Sequence, residues 1–138
     1  MSQTVSGRRL SREEPEEPRQ EPIGQIGVLS FPAGWKTSTS WYRAQTETDN
    51  GAPINDAERM VFLEQSDTPS RLVFVLSRET GNLLADCSCS GYHFRGFCAH
   101  VASVWWQWIN GDVVISELET DREHRHPPHW VAVEESDR

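Results

Sequence analysis

The chain has three cysteines, all between positions 87 and 98, in the stretch CSCSGYHFRGFCAH that runs from Cys87 to His100. Cys87 and Cys89 lie two residues apart, and Cys98 is followed two positions on by His100. Thiolate sulfur and imidazole nitrogen are what a borderline-soft divalent cation prefers. Three sulfurs and one nitrogen close a tetrahedron around Zn²⁺, at roughly 2.3 Å and roughly 2.0 Å respectively. Four protein ligands leave no position for water, so the expected cofactor is one structural Zn²⁺ and the expected role is not catalytic. A disulfide framework fits less well, because the cysteine count is odd and neighbours two apart on a strand sit near the bridging limit of roughly 7 Å. Free thiols in turn suit a reducing compartment.

Other chemistries explain less of the pattern. Three buried cysteines acting as small hydrophobes leave the paired spacing without a reason. A cysteine nucleophile activated by histidine uses one thiol, leaves two idle, and needs a substrate pocket for which this length has little room. His93, inside the spacer, is an alternative fourth ligand. His124, His126 and His129 offer a second metal-ligating set, against which stands the reading of "EHRHPPHW" as a charged, Pro-containing flexible loop.

The ligands require particular elements to bring them together. Residues i and i+2 of a strand face one way, so Cys87 and Cys89 belong at a strand end. "NLLADCSC" is that strand, reached through a turn at Thr80-Gly81. Before it, "RMVFLEQ" and "RLVFVLSRE" flank the turn-forming "SDTPS" and predict an antiparallel hairpin. After it, Val101, Val104, Trp105 and Trp108 fall at helical spacing in "HVASVWWQWIN", with Asn110-Gly111 as the stop. Cys98 then stands just ahead of a helix whose N-terminus should favour its thiolate and lower its pKa. Gly91 and Gly96 let the spacer fold back. Further upstream, the partial alternation of "SWYRAQTET" permits a short strand, and "DVVISELE" reads as an edge strand or an extended arm.

The pattern C-x-C-x8-C-x-H, with a hairpin before it and an apolar helix after it, resembles the SWIM zinc finger, over roughly residues 57 to 111. The resemblance implies metal binding by Cys87, Cys89, Cys98 and His100 on a ββα frame. It also implies DNA or protein binding, as inferred for similar domains in ATPases, transposases and small stand-alone prokaryotic proteins. The expected fold is therefore α+β and small: an antiparallel hairpin or three-stranded sheet followed by one helix, stabilised by zinc. On this reading 1–24 is a disordered acidic, Pro-rich tail, 25–56 an aromatic segment packed on the core, 57–118 the finger domain and 119–138 a polar extension.

Composition narrows the partners. Thirteen basic against 21 acidic residues give a net charge of -8, the wrong sign for holding nucleic acid by bulk electrostatics. Residues 87–110 contain no acidic side chain, so Arg95 and a Zn²⁺ with three thiolates make the finger nearly neutral. The helix is apolar on most sides, with Ala102, Trp106 and Ile109 forming a second line. Either Phe31, Trp35 and Trp41, or the closing "HWVAV", cover that line, or Trp106 faces a partner. The first expectation is a protein-interaction adapter, with a DNA-processing protein among the candidate partners. The alternative is single-stranded or structured nucleic acid held by Tyr92, Phe94 and Arg95. No small-molecule substrate is expected. The absence of a long apolar run or leader points to a soluble cytoplasmic protein without a membrane segment.

Overall fold

Strand β3 (Glu58–Val61) and strand β4 (Ser70–Leu76) form the antiparallel hairpin read from the sequence, with Val61 opposite Ser70 and Glu58 opposite Val73. Strand β5 (Leu83–Cys87) returns along the other side of β4, placing Leu83 opposite Leu76 and Cys87 opposite Leu72. The computed structural model describes residues 26–131. The segment 1–24 and the acidic end after 131 lie outside the described residues.

Two short strands extend this trio at its edges. β1 (Gly27–Val28) pairs with β5, and β2 (Ala52–Pro53) pairs with β3, giving a five-stranded antiparallel sheet in the order β1-β5-β4-β3-β2. A separate two-stranded sheet joins β6 (Ile115–Ser116) to β7 (Glu123–His124). Among the described residues, three α-helices complete the fold: α1 (Thr39–Thr46), α2 (Ser90–Arg95) and α3 (Ala99–Ile109). The expectation of a small ββα domain is thereby corrected. The fold is a larger α+β arrangement, because residues 26 to 53 supply strands and a helix, and residues 115 to 124 supply a second hairpin.

The strand expected at "SWYRAQTET" is also corrected, since this segment is α1. Ser38 caps it, its hydroxyl accepting from the Trp41 N–H at 3.1 Å. Trp41 then stands edge-on to Trp106 of α3, with ring centroids 5.5 Å apart. Packing of this face on α3 outweighs the weak alternation of the segment.

Burial follows the strand period. Leu72, Phe74 and Leu76 point from β4 into a core that α3 fills with Val101, Val104, Trp105 and Trp108, while Val73 and Val75 face the opposite side. Phe31 packs edge-on to Trp105, and Phe74 edge-on to Trp108. The N-terminal aromatics therefore cover α3, and Trp108, fully buried, donates its indole N–H to the His124 carbonyl at 2.8 Å. Among the described residues, no helix is long and apolar enough to cross a membrane.

The C-terminal hairpin is tied down through one enclosed carboxylate. Glu117 accepts from Arg78 Nε at 3.1 Å, from Thr120 Oγ1 at 2.7 Å, and lies 2.7 Å from His124 Nε2. Its side chain is sealed from solvent, so these partners replace the lost hydration. Hydrogen bonds from Arg78, then from His124, hold its pKa down at about 2. A depressed folded value means the stabilisation is complete above the ordinary value of 4.5 and fades as pH falls toward about 2. Glu117→Gln is expected to lower the melting temperature at neutral pH, and the deficit relative to wild type should shrink across that acid window. A deficit of the same size at every pH would contradict this account.

Candidate metal centre

Strand pairing places one ligand, helix N-caps place two, and the first turn of a helix places the fourth. Cys87 is the last residue of β5, and its pairing with Leu72 puts it on the buried face with Leu83 and Ala85. Cys89 keeps extended backbone angles as the N-cap of α2, and its sulfur accepts from the Tyr92 N–H at 3.4 Å. Thus β5 delivers one thiol rather than the two expected of it, and the second comes from the cap immediately beyond.

The chain then makes one short helix and reverses. Gly96 closes α2 in the left-handed region, at φ 70°, where a Cβ would be strained. Gly91 serves a second purpose: a Cβ there would begin 3.0 Å from Arg95 Nη2 and 3.9 Å from the Cys89 sulfur. Phe97 enters the core beside Phe31, and Cys98 follows as the N-cap of α3, its sulfur accepting from the Val101 N–H at 3.5 Å. His100 lies in the first turn of α3 and is buried.

The four ligand atoms converge, all within 4.8 Å of one another. Among the described residues this is the one group of three or more Cys, His, Asp or Glu side chains arranged to hold a metal ion. The edges of a tetrahedral set of this kind are roughly 3.5–3.8 Å long, and His100 Nδ1 already lies 3.7 Å from the Cys87 sulfur. Donor chemistry, burial and spacing therefore fit a metal ion. Nδ1 is the nitrogen turned toward the thiols, and Nε2 faces Ser70 Oγ at 3.3 Å, the kind of outer contact that fixes a ligating imidazole. Nothing in the motif spacing marks Ser70. It reaches His100 because it opens β4, two positions before Leu72 and so on the same face of the strand, where the ladder pairs Leu72 with Cys87.

The thiols share their charge unequally. Cys89 is pulled far below the ordinary thiol range because Cys87 and Cys98 hydrogen-bond to it. Cys87 is pushed far above that range by the same contacts, to Cys89 first and Cys98 second, with burial adding to them. Cys98 is drawn down by its contact with Cys87, yet Cys89 and burial outweigh that pull and leave it pushed up to about 12. The expectation of a lowered Cys98 is corrected accordingly. The Val101 N–H does act downward, but it is weaker than a neighbouring thiolate. A cation entering the set displaces the remaining thiol protons, so metal capture releases protons and weakens as pH falls.

The other residues singled out in the sequence fall into two places. Tyr92, Phe94 and Arg95 lie together on α2 and line one groove. Tyr92 donates its hydroxyl to the Ala85 carbonyl at 3.0 Å, whereas Phe94 is 87% exposed. Trp106 is elsewhere, half-buried against Trp41. His93 stays outside the ligand set, its Nε2 being 3.0 Å from the Cys87 carbonyl oxygen. His124 belongs to β7 and pairs with Glu117, and His126 lies against Ile109 and Gly111. Compared with family models, with curated proteins and with solved structures, the chain finds no match.

The Ser70 contact has a measurable consequence. Ser70→Ala, with little change in fold, is expected to weaken metal affinity by about tenfold, and Ser70→Thr should recover most of the loss. Competition with a chromophoric chelator reads both values, and equal affinities in wild type and Ser70→Ala would exclude the role.

Proposed function

We propose that Cys87, Cys89, Cys98 and His100 bind one structural Zn²⁺, and that the protein is a non-catalytic, zinc-ordered module acting as a protein-interaction adapter. The observation that carries this reading is the convergence of four ligands, three of them buried, from a strand end, a helix cap and a second helix start. Three thiolates and an imidazole favour Zn²⁺ over hard cations, and a complete protein ligand set leaves no open coordination position. The ligand order and spacing keep the SWIM-like pattern on a larger frame.

The adapter role is supported by what surrounds the centre. Arg95 is the one cation within residues 87–110, and no acidic side chain lies there, so a phosphate backbone gains little from this region. Exposed Phe94 beside a neutral centre suits a protein contact. Trp106, offered by the sequence as a partner residue, is half-buried against Trp41, and Phe94 on α2 is the more exposed of the two.

The test has two arms. Protein purified with zinc under reducing conditions should hold one equivalent per chain, and Cys98→Ser or His100→Ala should lose it and unfold, since a structural site contributes on the order of 10 kcal/mol. Wild-type melting in either variant, or a folded chain without bound zinc, would refute the metal reading. In the second arm, a protein partner captured by the zinc-loaded chain should be released when a chelator removes the metal. Capture that ignores the metal would refute the coupling.

A further inference from the structure

The groove beside the metal centre has a lining unlike the rest of the surface. It measures about 690 Å³ and runs between β1, the start of α1 and α2. Phe94, 87% exposed, and Val28, 57% exposed, are two of its apolar walls, and Phe97 forms part of its buried floor. Large apolar side chains left in water on one cleft mark a contact surface. The remaining lining is mostly hydroxyl-bearing, with Ser40 among it, and its single charged member is Arg95. A protein of net charge -8 thus has a groove whose lining contains one cation and no carboxylate.

Its shape depends on the metal ligands. The α2 wall is anchored at one end by Cys89 and followed closely at the other by Cys98, so the position of Phe94 and Arg95 follows from the state of the site. Tyr92 is pinned to the Ala85 carbonyl and cannot swing into the groove without losing that bond.

We propose that this groove docks an extended peptide segment of a partner protein, one that sets an acidic side chain on Arg95 and an apolar side chain between Val28 and Phe94. The proposal rests on the adapter reading and names the chemistry of its partner. Charge complementarity selects an acidic segment. The single cation suits one carboxylate of a peptide rather than nucleic acid, whose backbone needs several phosphates neutralised. A cleft of this volume is of the size that encloses a few side chains, with the aromatic wall as anchor.

The experiment uses the zinc-loaded full chain and fluorescence anisotropy at low salt. The probe is a short labelled peptide of leucine and serine with a single aspartate, compared with the same peptide carrying lysine for that aspartate and with labelled oligo(dT). Saturable binding of the acidic peptide is expected, weakened about tenfold or more by Phe94→Ala and by Arg95→Glu. Ile54→Ala, an exposed residue outside the groove, should leave it unchanged. Preference for the lysine peptide, equal affinity in the groove variants, or tighter binding of oligo(dT) would each overturn the proposal, the last by making the face a single-strand site. Should the acidic peptide fail while zinc content and metal-dependent partner capture persist, the groove assignment falls and the adapter reading stands. If metal-dependent capture is lost as well, both fall.

Discussion

Three sulfurs within 4.8 Å of one another, two of them buried, cannot all be charged unless a cation sits among them. That constraint governs the middle of this molecule. With protons alone, the three thiols share hydrogen bonds, and the contacts that pull Cys89 down push Cys87 up. With a divalent cation, all three are thiolates and the imidazole joins them, so strand end, short helix and long helix meet at one inorganic point. The short α2 has none of its own residues buried, so it contributes little to the core. Its position comes from the ligands on either side of it.

Around that point the fold solves a packing problem set by α3. A helix apolar on most of its circumference needs cover on more than one side. The sheet takes one side through Phe74 against Trp108, and the N-terminal segment takes another through Phe31 against Trp105 and Trp41 against Trp106. Gln107, on the polar strip, reaches Asp49 Oδ2 at 2.9 Å and ties the loop before β2 to the same helix. The candidate metal site thus lies at one end of a layer already closed by aromatic contacts, and beside it is the groove along α2.

How much of this was legible depends on the range over which each signal acts. The hairpin β3–β4, strand β5 and helix α3 follow from alternation or helical spacing within one segment. The ligand set follows from four residues of two types, paired at short spacing. Segment α1 did not, because its helical state depends on Trp41 meeting Trp106, 65 positions away. Strands of two residues such as β1 and β2 carry no periodic signal and exist only as edges of a sheet already formed. Ser70 and Glu117 escaped notice for a similar reason: a serine opening a strand and a glutamate in a polar stretch become site and hub only when register brings His100 to one, and Arg78 and His124 to the other.

The amino-acid sequence by itself determined which atoms can hold a metal, the strand and helix that carry most of them, and the near-neutral charge of their surroundings, since those depend on residue type and short spacing. Tertiary structure alone decided how the three thiols bond to one another, which nitrogen of His100 faces them, and that Trp106 is half-buried while Phe94 is bare. Hydrogen bonding, ring orientation and exposure are set by neighbours through space, and those neighbours come from strands and helices far apart in the chain.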